Sequence, residues 1–127
     1  MSQAVLEHAN ITVQNARLSA ELFCRLFDWK IRWSGSAIHE GMSVHVGSDA
    51  SYLALYEHPE KNRATTDSYY NINSLNHIGI VVKNLDEVEK RVLAEELEPR
   101  SHAEYEPGRR FYFDTPDGLE VEVISYA

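Results

Sequence analysis

The chain is poor in what would tie it to a secreted scaffold, a membrane or a nucleic acid. It holds a single cysteine, Cys24, among 127 residues. No internal disulfide is therefore possible, which fits a reducing compartment and a cytoplasmic location. Nothing near Cys24 in the sequence is built to stabilise a thiolate, so it reads as a small apolar helix residue and not as a nucleophile. No apolar run approaches the length of a membrane span. The first residues lack the basic-then-apolar order of a signal peptide, because Glu7 and His8 interrupt it. Positive charge is scarce as well: 12 Lys and Arg stand against 20 Asp and Glu, a net charge of −8. That balance argues against nucleic acid, whose binding rests on cations neutralising phosphates, and against anionic membrane surfaces.

What is present is an ordinary globular composition, 43% hydrophobic and 25% charged, with enough length for one domain and its core. The most informative stretch is residues 111–124. Phe111, Tyr112 and Phe113 suit a strand. Pro116, Asp117 and Gly118 are turn residues, since proline pre-sets one dihedral and glycine accepts positive φ. Leu119, Val121 and Val123 then alternate with Glu120 and Glu122, which gives a strand with an apolar face and a carboxylate face.

Earlier segments follow the same logic. Residues 5–13 alternate, with Ala9, Ile11 and Val13 opposite His8, Asn10 and Thr12. Asn15 is a helix N-cap, and Leu18, Leu22, Phe23, Leu26 and Phe27 form the apolar stripe of a helix over 16–28. Residues 29–33 read as a strand, 34–36 as a turn, 42–46 and 52–56 as two further strands. Residues 58–73 are polar and aperiodic, a linker or loop. Residues 75–82 begin a second series. Asn84 with Glu87 forms a capping box, and Val88, Val92, Leu93 and Leu97 mark a helix to about 96. Pro99 stops it. A short strand at 100–104, a turn at 106–108 and the two closing strands complete the series.

Both halves are thus β-α-β-β-β. In each, a histidine lies seven residues before the helix cap: His8 before Asn15, His77 before Asn84. The repeat predicts an α+β fold, two βαβββ modules (residues 1–57 and 74–127, joined by 58–73) forming a curved mixed sheet around a cavity. Helices cover the face of the alternating aliphatics. His8, His45, Tyr56, His77, Arg110, Tyr112 and Glu122 fall on the other face, which is too polar for a packed core.

Paired βαβββ modules, a histidine on the first strand of each, and Asp117-Gly118 followed by Glu122 resemble the vicinal oxygen chelate superfamily. Glyoxalase I, the fosfomycin-resistance enzymes, the extradiol dioxygenases and the bleomycin-resistance binding proteins belong to it. The resemblance spans nearly the whole chain outside the linker. It implies metal ligands at His8, His77 and Glu122; the fourth family position falls on Ala54, where the glyoxalase pattern has a glutamate. Glu57, nearby, is in the opposite strand phase. Two histidines and one carboxylate leave coordination positions open and suit iron, manganese, zinc or nickel. Tyr112, Thr115, Pro116, Gly118 and Glu122 match the extradiol signature, with Tyr112 ten residues before the glutamate. The acid-base histidine of that signature is matched only in part: His102 lies one residue outside the spacing, and Tyr105 takes a permitted place.

The resemblance therefore implies a metal-dependent enzyme on a small substrate that chelates the ion through adjacent oxygens. It would be a glyoxalase-type lyase, isomerase or transferase, or an extradiol-type dioxygenase, with Tyr112 moving a proton. It also implies a homodimer. The alternative is a drug-sequestering protein of the bleomycin-resistance type. Each residue has a plainer role to weigh against this. His8 and His77 taken singly are hydrogen-bonded strand histidines, and Tyr112 is a packed aromatic. Arg110 anchors a substrate carboxylate or is a surface charge. His45 and Tyr56 line the substrate space by strand phase alone. Trp29 and Trp33 serve the core or a subunit interface, and Tyr69 and Tyr70 cap the cavity or pack.

Overall fold

The computed structural model describes residues 2–62, 67–105 and 108–127, with the backbone alone at Tyr105. Its contacts separate the chain into two units, residues 1–62 and 63–127. The division falls inside the aperiodic stretch 58–73.

The first unit runs β1 (His8–Thr12), α1 (Ala16–Phe27), β2 (Lys30–Ser36), β3 (Met42–Gly47), β4 (Tyr52–Glu57). The second opens with a 3-10 turn at Ser68–Tyr70. It continues through β5 (His77–Val81), α2 (Leu85–Ala94), β6 (Arg100–Tyr105), β7 (Gly108–Asp114) and β8 (Glu120–Ser125). Hydrogen bonding resolves the expected sheet into two, one per unit, with strand orders β1-β4-β3-β2 and β5-β8-β7-β6. In each the first strand lies parallel to the last, and the remaining pairs are antiparallel. A parallel pair needs a long crossover; the helix and the two middle strands supply it.

Local chemistry explains where the elements begin and end. Asn15 is extended and its side chain accepts from the Leu18 amide at 3.0 Å. The Glu57 carboxylate accepts the Ala16 amide at 2.8 Å, so a residue from β4 satisfies another orphan donor of α1. Asp28 ends α1 in the left-handed region, φ 58°, its amide bonded to the Cys24 carbonyl. Asn84 repeats the first device, accepting from the Glu87 amide at 3.1 Å, while Glu87 pairs with Arg91. Asn15→Ala is expected to cost about 1 kcal/mol in urea unfolding, the ordinary worth of an N-cap. In the closing turn Gly118 takes φ 88°, its amide bonded to the Thr115 carbonyl at 2.8 Å, as the Pro-Asp-Gly sequence requires.

The core of each unit lies between its helix and one sheet face. In the first, α1 packs on β3 and β4, whose Val44, Val46, Leu53 and Leu55 are buried. In the second, α2 packs on β7 and β8, with Phe111, Phe113, Val121 and Val123 fully buried. Trp29 joins the first core, its ring 5.7 Å from Phe23 and 5.5 Å from Phe27.

Three expectations are corrected. The turn expected at 34–36 is the end of β2, and the chain reverses at 37–41, where the Ala37 amide bonds to the Gly41 carbonyl. Leu18 and Leu93 do not join the buried stripes; they are 62% and 56% exposed. The helical turn explains this. Ala16, Ala20, Leu22, Phe23 and Leu26 face the sheet, and Leu18 sits about 120° around α1 from the middle of that stripe. Small alanines extend the contact line beside the larger residues. The turn expected at 106–108 begins outside the described residues.

Candidate functional site

Strand register defines the sheet face opposite each helix. In the first unit His8, Asn10 and Thr12 stand beside Tyr52, Ala54 and Tyr56, and Ser43 and His45 stand beside Tyr56 and Ala54. In the second, His77 and Gly79 stand beside Glu120 and Glu122, and Tyr112 beside Glu122. The two registers superpose position by position. His8 corresponds to His77, Tyr52 to Glu120, Ala54 to Glu122, and His45 to Tyr112.

In the second unit the expected residues come together. His77 Nε2 lies 3.1 Å from Glu122 Oε1, and Arg110 Nη1 donates to Glu122 Oε2 at 2.8 Å. The Glu122 and Arg110 side chains are only 13% and 12% exposed. Arg110 is thus a shielded partner of Glu122 and not a surface charge. Arg109 is the surface charge, paired with Asp86. Tyr112 meets the His77 ring edge-on, centroids 5.7 Å apart.

Two residues not counted among the site candidates complete this cluster. Glu120, on the carboxylate face of its strand, shares the phase of Glu122, and its side chain is 15% exposed. It accepts from the Tyr69 hydroxyl at 2.6 Å. Tyr69 comes from the 3-10 turn, stacks on His77, and places its oxygen 3.5 Å from His77 Nδ1. The carboxylate of Glu120 pushes the Tyr69 phenol up to about 12, so it stays a donor at neutral pH. Alternation contained the signal for Glu120; Tyr69 was read as capping the cavity or packing, and the aperiodic linker gave no phase to place it against His77.

In the first unit His8 belongs to a row of rings. Trp33, His45, Tyr52 and His8 succeed one another at centroid separations of 5.0, 4.8 and 4.9 Å. Arg32 lies 4.4 Å over the Tyr52 ring. Trp33, expected in the core or at a subunit interface, is not in the core: it is 49% exposed on this face. A register shift between Ile31 and Trp33 puts it there, and a bulge is invisible to period-two reading. Burial holds the His45 ring below the usual histidine range, with His8 and Arg32 adding to the effect, so it stacks as a neutral imidazole. His8 Nδ1 lies 2.9 Å from the Glu7 carboxylate, which also accepts from the Tyr52 hydroxyl at 3.1 Å. The bonds from His8 and Tyr52 keep the Glu7 carboxyl below its ordinary value. The Tyr56 hydroxyl donates to the Ile38 carbonyl at 2.6 Å, leaving its ring and an acceptor oxygen for a ligand.

The remaining candidates stand away from these clusters. His102 pairs with Glu89 of α2 at 3.0 Å and stacks on buried Phe111, on the helix-covered side and not beside Tyr112. Glu57 is the cap of α1 described above. Burial raises the Cys24 thiol, as an unreactive helix cysteine requires.

The donor chemistry fits a divalent ion in part. With metal bonds of about 2.1 Å, two ligands at right angles sit about 3.0 Å apart; the His77–Glu122 separation of 3.1 Å matches. Arg110 occupies the second carboxylate oxygen, which leaves Glu122 one oxygen to offer. Among the described residues no three His, Cys, Asp or Glu side chains gather as a metal group. Among its described residues, the second unit brings two donor side chains, His77 and Glu122, to this spacing.

Comparison with known proteins agrees with the fold. The family profile described as Glyoxalase/Bleomycin resistance protein/Dioxygenase superfamily matches residues 5–123. A glyoxylase/bleomycin resistance protein/dioxygenase domain from Frankia sp. EAN1pec superposes with a TM-score of 0.82 at 20% identity, covering 98% of each chain. Glyoxalase I of Leishmania major gives 0.77 at 17% identity, covering 98% of this chain and 88% of its own. The fosfomycin resistance protein FosX of Listeria monocytogenes gives 0.72 at 16%, covering 98% and 94%. No curated protein sequence matches significantly. Among the described residues, no helix is long and apolar enough to cross a membrane.

Proposed function

Because the chain belongs to the Glyoxalase/Bleomycin resistance protein/Dioxygenase superfamily, we propose that it is a metal-dependent enzyme acting on a small substrate with two adjacent oxygens. The observation that carries this reading is the His77–Glu122 pair, set at ligand spacing on the sheet face opposite α2. His77 and Glu122 are two of the ligands, and His8 is the third. The bound divalent ion, whether iron, manganese, zinc or nickel, supplies Lewis-acid polarisation of the substrate oxygens.

The chain's own residues do the rest. Arg110 fixes one oxygen of Glu122 and turns the other toward His77. Tyr112, against the edge of His77, carries a hydroxyl suited to proton transfer. His45 and the ring of Tyr56 contact the substrate by stacking. Ala54, at the position equivalent to Glu122, removes one carboxylate of the glyoxalase pattern. His102, the nearest candidate for the extradiol acid-base histidine, is engaged by Glu89 on the helix side. We therefore place a lyase, isomerase or transferase ahead of a dioxygenase.

A second reading rests on the ring row of the first unit. Trp33, His45, Tyr52 and His8 beside small Ala54 suit the capture of a planar ligand without chemistry. Metal content decides between the two. Protein purified without chelator is expected to retain near-stoichiometric divalent metal, lost in His77→Ala. Wild-type protein that neither carries nor takes up a divalent ion would remove the enzyme reading. Ligand quenching of tryptophan fluorescence in metal-free protein would then test sequestration.

A further inference from the structure

Both strand histidines are met at Nδ1 by the same pair of side chains in exchanged places. In the first unit the residue across the register from His8 is Tyr52. Its hydroxyl donates to Glu7, which precedes the strand, and Glu7 takes His8 Nδ1 at 2.9 Å. The Glu7 carbonyl also accepts the Tyr52 amide at 3.0 Å, so the segment is held at main chain and side chain together. In the second unit the residue across from His77 is Glu120. The tyrosine now comes from the segment before the strand: Tyr69 donates to Glu120 and sits 3.5 Å from His77 Nδ1, the outer limit for a hydrogen bond. Each tyrosine also stacks on its histidine, with 18° and 21° between ring planes. Two unrelated stretches of sequence thus reach one arrangement: a tyrosine hydroxyl bonded to a carboxylate at the inner nitrogen of the ring.

We propose that Glu7 and Tyr52 are positioning residues that hold the proton of His8 on Nδ1 and present its Nε2 as the metal-binding atom, and that Glu120 and Tyr69 orient the His77 ring through its Nδ1 side, so that its Nε2 stays directed at Glu122. The proposal rests on the metal-enzyme reading above. Its physical basis is general. An ionised carboxylate only accepts, so an Nδ1 bonded to it must donate. A ring protonated on Nδ1 offers its Nε2 lone pair, and an outer hydrogen bond of this kind fixes the ring plane and raises ligand basicity. In the second unit the contact runs through one more member: Nδ1 to the Tyr69 oxygen, then the Tyr69 hydrogen to Glu120.

The test uses the full chain in two readouts. Long-range proton–nitrogen spectra of the histidine rings in metal-free protein report which nitrogen carries the proton. Zinc titration reports affinity. Wild-type His8 is expected to be protonated on Nδ1. Glu7→Ala is expected to abolish that pattern for His8 and to lower zinc affinity about 10- to 100-fold. Glu7→Gln, which keeps an acceptor oxygen, is expected to recover most of both. Tyr69→Phe keeps the stacked ring and removes the hydroxyl. It is expected to shift the His77 Nδ1 signal and leave His8 unchanged, with a zinc loss of the same order. A wild-type His8 protonated on Nε2 overturns the proposal. So does zinc affinity that stays at the wild-type value in both Glu7→Ala and Tyr69→Phe. Should wild-type protein bind neither zinc nor iron, manganese or nickel, the enzyme reading fails on its own, and the ring spectra still decide how the histidines are oriented.

Discussion

Glu122→Ala is expected to abolish metal retention and to destabilise the second unit by about 3–5 kcal/mol, the cost of removing one partner from a shielded ion pair. The two effects have separate causes. Metal is lost because one of the two donors proposed among the described residues of that unit is gone. Stability is lost because the Arg110 guanidinium, 12% exposed, no longer faces this counter-charge. Glu122→Gln separates them. The amide oxygen still accepts from Arg110, so most stability should return, while a neutral amide is a poor ligand and metal should remain absent. Removing both charges together, as in Glu122→Leu with Arg110→Met, should bring stability close to wild type, because apolar residues of similar volume replace a buried pair at little cost. Urea midpoints by circular dichroism and metal analysis of the same preparations give the answer. Equal midpoints for wild type and Glu122→Ala would mean that the pair contributes nothing, and that solvent reaches Arg110 freely.

The part of this cluster that was legible in the sequence is the part that obeys strand alternation. His77, Tyr112 and Glu122 share a phase on three strands, and the repeat of histidine before helix cap set His8 beside them in the reasoning. Alternation also assigned Glu120 to that face, but a carboxylate between Leu119 and Val121 looks the same whether solvent or a tyrosine meets it. What alternation cannot carry was lost. The register shift between Ile31 and Trp33 moves Trp33 onto the ring row, on the face Arg32 already holds by alternation. Tyr69 arrives from a stretch with no period at all. Glu57 was rightly set aside by phase, yet its use as a cap for α1 depends on where β4 ends relative to the helix, a three-dimensional fact.

The same distinction between pattern and packing sets the second large effect. Phe111→Ala is expected to cost about 3–5 kcal/mol, while Leu18→Ala should stay within about 0.5 kcal/mol. By composition both are large apolar residues on an amphipathic element, and the sequence places each on its core stripe. Phe111 is fully buried, with Phe113 at 6.4 Å and His102 stacked at 5.9 Å. It also sits across from buried Val123 in the register. Removing the ring leaves a cavity between β7 and α2 that stiff β-branched neighbours such as Val121 and Val123 cannot fill. Leu18 has most of its surface in water already, so truncation removes little from a dry interior. Urea unfolding of the two variants side by side measures the contrast. A Leu18→Ala loss comparable to that of Phe111→Ala would mean that α1 is covered on its outer face by something beyond this chain, and a second copy would be the first partner to test by sedimentation.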